Sequence, residues 1–197
     1  MARRGAIKAK ASIPNLVPHS GKWADMYLGM GPDQDIADFS IEVWRRERPD
    51  LDATGKGITG RILRLSEILL TQMNSNMARV GLKFSIYAII ATLRTSGAPA
   101  PYRMSPSQLK SVLLVTSGGL SNLLKEAERA GLICRIDDPN DGRGILVELT
   151  PTGIQACDVA MPMQAELEQE LIQMFSQEEK ELLASLLRKM IVKNRML

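Results

Sequence analysis

Few residues in this chain have the chemistry for catalysis. One histidine, His19, occurs in 197 residues, which argues against imidazole acid–base work and against a multi-histidine metal site. The two cysteines, Cys134 and Cys157, stand far apart and form no CxxC pair, as expected of a reducing compartment. Arg135 adjoins Cys134, but nothing else near either thiol promises a depressed pKa, so ordinary packing is expected of both. The run Gly55-Lys56-Gly57-Ile58-Thr59-Gly60 matches GxGxxG. A dinucleotide site would need a strand before it and a βαβ unit around it. Leu51-Asp52-Ala53-Thr54 is not strand-like, so the glycines are read as a flexible helix start. No nucleophile–base pair stands out, and the acidic residues pattern as solvated helix faces and turns. An enzyme is therefore not expected, nor a cofactor or a metal.

Recognition chemistry is concentrated between residues 103 and 143. In a helix over 116–130, Leu120, Leu123 or Leu124, and Ala127 share one face. The opposite face carries Ser117, Gly118, Ser121, Asn122 and Lys125. These are the small and hydrogen-bonding residues a DNA-reading helix presents near its first turns. Asn122 suits adenine, Ser117 and Ser121 suit base edges or phosphate, and Lys125, further along, suits phosphate. Gly118 and Gly119 let backbone approach a duplex closely, at a helix cost of about 1 kcal/mol each. Arg103 and Lys110 are further phosphate candidates. Arg143 sits in the turn Asp141-Gly142-Arg143-Gly144, where a guanidinium can enter a minor groove or grip phosphate. Asp137, Asp138 and Asp141 surround it, and at least one of them is expected to hold Arg143 or Arg135 in place. The plainer readings are an ordinary helix pair in a helical core and a solvent-facing arginine on a hairpin.

The elements that must position these residues follow from periodicity and caps. Residues 1–32 read as an arm punctuated by proline and glycine, with a basic tip of Arg3, Arg4, Lys8 and Lys10. Residues 33–56 hold a helix, capped by Asp33 or Asp35 and running to about Glu47, followed by a linker. Ile58, Ile62, Leu65, Leu69, Met73 and Met77 recur at helical spacing over 57–80. A second helix, 84–95, turns Phe84, Tyr87, Ala88, Ala91 and Ile90 inward. Ser105-Pro106-Ser107-Gln108 starts a short helix with cap, first-turn proline and capping box. A tight turn joins it to 116–130, a helix-turn-helix arrangement. Strands over 132–136 and 145–149 flank a turn over 137–144. Thr150-Pro151 opens a long helix to about Phe175 in which Pro162 is a possible kink or break. Ser176 to Glu179 caps the last helix.

The expected fold is mainly α with a small β-hairpin wing. It is a winged helix-turn-helix core (about 84–150) inside a domain over 57–197 with long N- and C-terminal helices. Aromatics are only 4% of the chain, so the core must be aliphatic, and the formal charge of +3 permits a nucleic-acid partner without demanding one. The terminal helices are long and one-sided, and such faces usually bury against a partner copy. The alternative is that they fold back on the central unit. No window approaches eighteen apolar residues, so no membrane partner is expected and the location is read as cytoplasmic.

The stretch Leu124-Lys-Glu-Ala-Glu-Arg-Ala-Gly-Leu-Ile-Cys-Arg135, then Asp138-Pro-Asn-Asp-Gly-Arg143, then Leu146-Val-Glu-Leu-Thr-Pro-Thr-Gly153 resembles the MarR family of winged-helix transcription regulators. With its flanking helices the resemblance covers about 57–192. It implies an obligate homodimer on double-stranded DNA with a pseudo-palindromic operator, usually acting as a repressor. The family's wing carries Asp-Arg-Arg. Here Asp141-Gly142-Arg143 lacks the middle arginine, which removes one backbone contact. Relatives are often released by small aromatic or phenolic acids, and a pocket between the dimer helices and the winged unit would here be lined by Trp44, Met73, Met77, Phe84 and Tyr87. Each of these also reads as plain core. A dimeric interaction or scaffold protein without specific DNA readout is the competing function.

Overall fold

The computed structural model describes residues 31, 33–97, 100–113 and 117–194. The N-terminal arm, including Arg3, Arg4, Lys8, Lys10 and His19, lies outside the described residues apart from Gly31 and the arm's edge. Two compact units divide the chain at Ser66 and Glu67.

In the first unit, helix α1 (Ile36–Glu47) starts at Asp35. The Asp35 carboxylate accepts from the Ala37 and Asp38 amides at 2.8 and 3.1 Å, and Asp38 reaches back to the Asp35 amide, a full capping box. Arg61 on helix α2 (Thr54–Ala78) then joins both carboxylates, at 2.8 Å to Asp35 and 2.7 Å to Asp38. The Arg61 guanidinium holds the Asp38 carboxyl below its ordinary range. Gly57 is buried, and a Cβ there would stand 2.8 Å from Ile41 Cδ1. The glycine-rich run is therefore not a loose helix start: it lies inside α2, and Gly57 lets α1 and α2 approach.

The second unit contains the end of α2, α3 (Phe84–Arg94), β1 (Arg103–Met104), α4 (Pro106–Val112), α5 (Ser117–Arg129), β2 (Ile133–Asp138), β3 (Asp141–Leu149), α6 (Pro151–Leu171) and α7 (Gln177–Asn194). The strands form one antiparallel sheet ordered β1-β3-β2. Its core joins Ile86, Ile89, Ile90 and Leu93 of α3 to Leu109, Leu120, Leu124, Ala127, Leu132, Ile133, Val147, Leu149 and Cys157. Helix α3 is apolar around most of its circumference, so periodicity picked only part of its buried face. Ile86, Ile89 and Leu93 are buried, whereas Phe84, Ala88 and Ala91 are half-buried.

Local chemistry fixes the element ends. Ser105 Oγ accepts from the Gln108 amide at 3.2 Å, and Gln108 Oε1 accepts from the Ser105 amide at 2.8 Å, starting α4. Gly131 ends α5 at φ +69°, where the Leu132 amide donates to the Ala127 carbonyl. That 6→1 bond needs the left-handed conformation glycine tolerates. Thr150 caps α6 through its hydroxyl, which accepts from the Gly153 amide at 3.0 Å and donates to the Gly131 carbonyl at 2.6 Å. A Cβ at Gly153 would lie 2.0 Å from the Leu132 carbonyl oxygen, so only glycine fits where α6 leaves the sheet.

Three features differ from expectation. Strand β1 is a two-residue edge, Arg103 opposite Glu148 and Met104 opposite Val147, that the sequence reading lacks. The strands run further toward the tip than 136 and 145, closing at Asp138 opposite Asp141. The extra residues on β3 form a bulge. Helix α6 continues through Pro162 without a break. Among the described residues, no helix is long and apolar enough to cross a membrane.

Candidate nucleic-acid interface

Helix α5 buries Leu120, Leu124 and Ala127 beneath it and half-buries Leu123. Gly118, Ser121, Asn122 and Lys125 are exposed together on the opposite side. Ser117 is the first residue of α5. The orientation of α5 rests on Leu120, Leu124 and Ala127: turning the polar side inward would exclude these core residues, each worth about 1.5–3 kcal/mol for the larger side chains.

Two ion pairs hold α5 against its neighbours. Lys83 Nζ lies 2.6 Å from Glu126 Oε1, and Arg135 Nε lies 3.4 Å from Glu128 Oε2. The second ties the first wing strand to α5 through Arg135, one of the two arginines that a wing aspartate was expected to hold. Asp138 spends an oxygen on the Asn140 amide at 2.9 Å, which shapes the two-residue turn. Arg143 falls in the bulged segment between Gly142 and Gly144. A Cβ at Gly144 would approach Asp138 Cβ to 2.9 Å, so this segment folds tightly over the turn. Bulges of this kind re-aim the strand that carries them.

Arg103 is engaged across the sheet: its Nε donates to Glu148 Oε2, the residue opposite it in register. Lys110 is exposed on α4. It borders a groove of about 300 Å³ lined by Pro106, Ser107 and Lys110 of α4, Leu120, Ser121 and Leu124 of α5, and Arg135 and Ile145 of the hairpin. Lys110, Ser121 and Arg135 were singled out in sequence for other contacts. Their convergence on one groove with an apolar floor depends on how the hairpin folds back, which local spacing does not encode.

The five pocket candidates are divided. Trp44 belongs to the first unit, is 40% exposed, and has Lys56 Nζ 4.2 Å from its ring centre. Met77 and Tyr87 are buried in the second unit around Ala160, with Phe84 packed beside them, its ring centre 6.0 Å from that of Tyr87. Met73 is half-buried. Burial raises the Tyr87 hydroxyl pKa. Among the described residues, no group of three or more His, Cys, Asp or Glu is placed to hold a metal.

A helix pair with an exposed polar second helix, followed by a hairpin that pairs with the short strand before it, defines a winged helix-turn-helix, the architecture of a DNA reader. The MarR family model matches residues 80–144. The chain is 32% identical over 158 residues to the HTH-type transcriptional regulator PecS of Dickeya dadantii, covering 79% of this chain and 94% of that protein. It therefore belongs to the MarR family, and is a DNA-binding transcriptional regulator rather than an enzyme. Two solved structures share the fold. A cysteine-to-serine mutant of MarR from Escherichia coli, complexed with operator DNA, superposes with TM-score 0.61 at 23% identity, covering 80% of this chain and 99% of that one. The organohalide-sensing regulator RdhR in its 2,4-dichlorophenol-bound form gives TM-score 0.64 at 16% identity, covering 84% and 89%.

Proposed function

We propose that this regulator is a homodimeric repressor that reads a pseudo-palindromic operator with α5 and is released when a small aromatic or phenolic acid enters the groove beside that helix. In this reading Ser117, Gly118, Ser121 and Asn122 meet base edges, while Lys125, Lys110 and Arg103 meet phosphate. Arg143 reaches from the wing, with Asp141 and Arg135 shaping its base. Dimerisation is supported by α7, in which no residue is buried. Leu182, Leu186 and Ile191 are each more than half exposed, and in this reading an amphipathic helix left bare by the described residues finds its cover on a second copy.

The observation that carries the release mechanism is the groove. In this reading the groove offers a ligand carboxylate the two cations among its lining residues, Lys110 and Arg135 (the latter shared with Glu128), and offers its ring the apolar surface of Leu120, Leu124 and Ile145. The same occupant would cover Ser121 and draw Lys110 away from phosphate, so ligand and operator compete for the same atoms. The related RdhR is described with a small chlorinated phenol bound, a ligand of similar size. Met73, Met77, Phe84 and Tyr87 of the second unit are the other candidate lining. Met77 and Tyr87 already pack on Ala160, so a ligand there must displace packing, whereas the groove is open.

Titrating 2-hydroxybenzoate and 4-hydroxybenzoate into the operator complex, followed by fluorescence anisotropy, tests the reading. Release by at least one is expected. Arg135→Gln should raise the half-release concentration about 10-fold, the value of one charge-assisted hydrogen bond. An operator complex indifferent to both acids at millimolar concentration would contradict ligand release.

A further inference from the structure

Arg94, the last residue of α3, joins its own helix to Tyr102, eight residues on, and to Asp158, 64 residues on. Its Nε donates to Asp158 Oδ1 on α6 at 3.2 Å. Its Nη1 donates to the Tyr102 hydroxyl, and its guanidinium carbon lies 4.6 Å from the Tyr102 ring centre. Tyr102 is itself fixed to the sheet, because its carbonyl accepts from the Leu149 amide at 3.1 Å. The Arg94 side chain is 30% exposed and that of Asp158 54%, so the ion pair is open to solvent on the Asp158 side.

The remaining attachments of α6 to the winged unit explain why this one matters. The helix is pinned at its start, where the Thr150 hydroxyl links the Gly153 amide to the Gly131 carbonyl and where Gly153 touches Leu132. Beyond that point Ile154, Cys157 and Met161 pack on the core through apolar surface. Burial of that kind is non-directional and allows a helix to swing about its pinned end. A guanidinium fork is directional. Asp158 lies five residues past Gly153, about 7–8 Å along the helix axis. Two fixed points at that separation set the direction in which α6 leaves the winged unit, and further along Asn76 Nδ2 of α2 donates to the Met163 carbonyl at 3.0 Å.

We infer that the Arg94–Asp158–Tyr102 junction is a positioning element for operator reading: it sets the angle between α6 and the winged unit, and so the spacing of the two recognition helices across two half-sites. This rests on the dimeric reading above, because a spacing exists only between two copies. The residues act through α5 and touch no base.

The test compares full-length wild type with Asp158→Asn, Arg94→Gln, Tyr102→Phe and Asp158→Glu. Each is titrated into duplexes bearing one half-site, two half-sites at the selected spacing, and two half-sites moved apart by one or two base pairs. Asp158→Asn and Arg94→Gln should lose about 10-fold on the correctly spaced pair, the loss of one charge-assisted contact. They should be unchanged on the single half-site and should discriminate less between spacings. Tyr102→Phe, which removes one hydroxyl, should show the same pattern more weakly, and Asp158→Glu should restore the spacing preference. An unaltered spacing preference in Asp158→Asn overturns the inference, as does an equal loss on one and two half-sites, which marks a merely structural contact. Wild type that binds one and two half-sites alike refutes the dimeric reading before any substitution is compared, and the inference with it.

Discussion

Asn122 and Lys125 are neighbours on the exposed face of α5 and, in the proposed reading, make different kinds of contact. An amide can pair with adenine through two hydrogen bonds, whereas an ammonium three residues on is a point charge for phosphate. Asn122→Ala should therefore change which operator variants are preferred, with about 1–3 kcal/mol lost at one base position. Lys125→Ala should weaken all sequences alike and lower the salt slope by about one. A panel of single-base operator variants titrated with both proteins separates the two. At the same scale, burial and the nearby Asp158 push the Cys157 thiol up to about 11, and burial also raises Cys134. Both thiols stay protonated at neutral pH and are poor nucleophiles. Cys157 should resist iodoacetamide at pH 8 until the chain unfolds. Because its folded pKa lies above the unfolded value, its contribution to stability is present below about pH 9 and lost as pH rises through about 11. Cys157→Ala should show a smaller stability loss over that interval in denaturant titrations.

The elements divide by how local their causes are. The start of α4 at Ser105, the start of α7 at Ser176 and the end of α5 at Gly131 were legible, because caps depend on residues within one turn of each other. The wing was legible in kind but not in extent. Its Asp and Gly content suggested a long turn over 137–144, yet pairing continues to Asp138 and Asp141 because the surplus residues are taken up in a bulge. Strand β1 has no alternating pattern of its own and exists because β3 offers an edge. Gly57 looked like freedom and is close packing. The Arg94–Asp158 contact spans 64 positions and leaves no trace in local spacing. The Thr-Pro-Thr-Gly run now has a cause: Gly153 is required by the Leu132 carbonyl at 2.0 Å from any Cβ. Gly153→Ala should lower the thermal midpoint by the equivalent of about 1–3 kcal/mol or more, the usual cost of forcing extra atoms into a packed junction. Calorimetry or a circular-dichroism melt reads this directly.

At the scale of the whole molecule, the account requires two copies. Among the described residues nothing covers the apolar side of α7, and parts of the α2 stripe are exposed too, with Ile58 and Leu65 each 54% exposed. Leu186→Lys should shift the chain from dimer to monomer in analytical ultracentrifugation and, with it, abolish tight binding to a two-half-site operator. The helix-turn-helix itself should stay folded, since Leu186 touches none of its core.

The most direct measurement is fluorescence anisotropy of the purified chain against labelled duplex from its own upstream region, beside scrambled duplex, at several salt concentrations. The account predicts binding at least about a thousandfold tighter to the specific duplex, weakening log-linearly with salt as phosphate contacts release counterions. Equal, weak binding to both duplexes, followed by a random-sequence selection that enriches no motif, would contradict it.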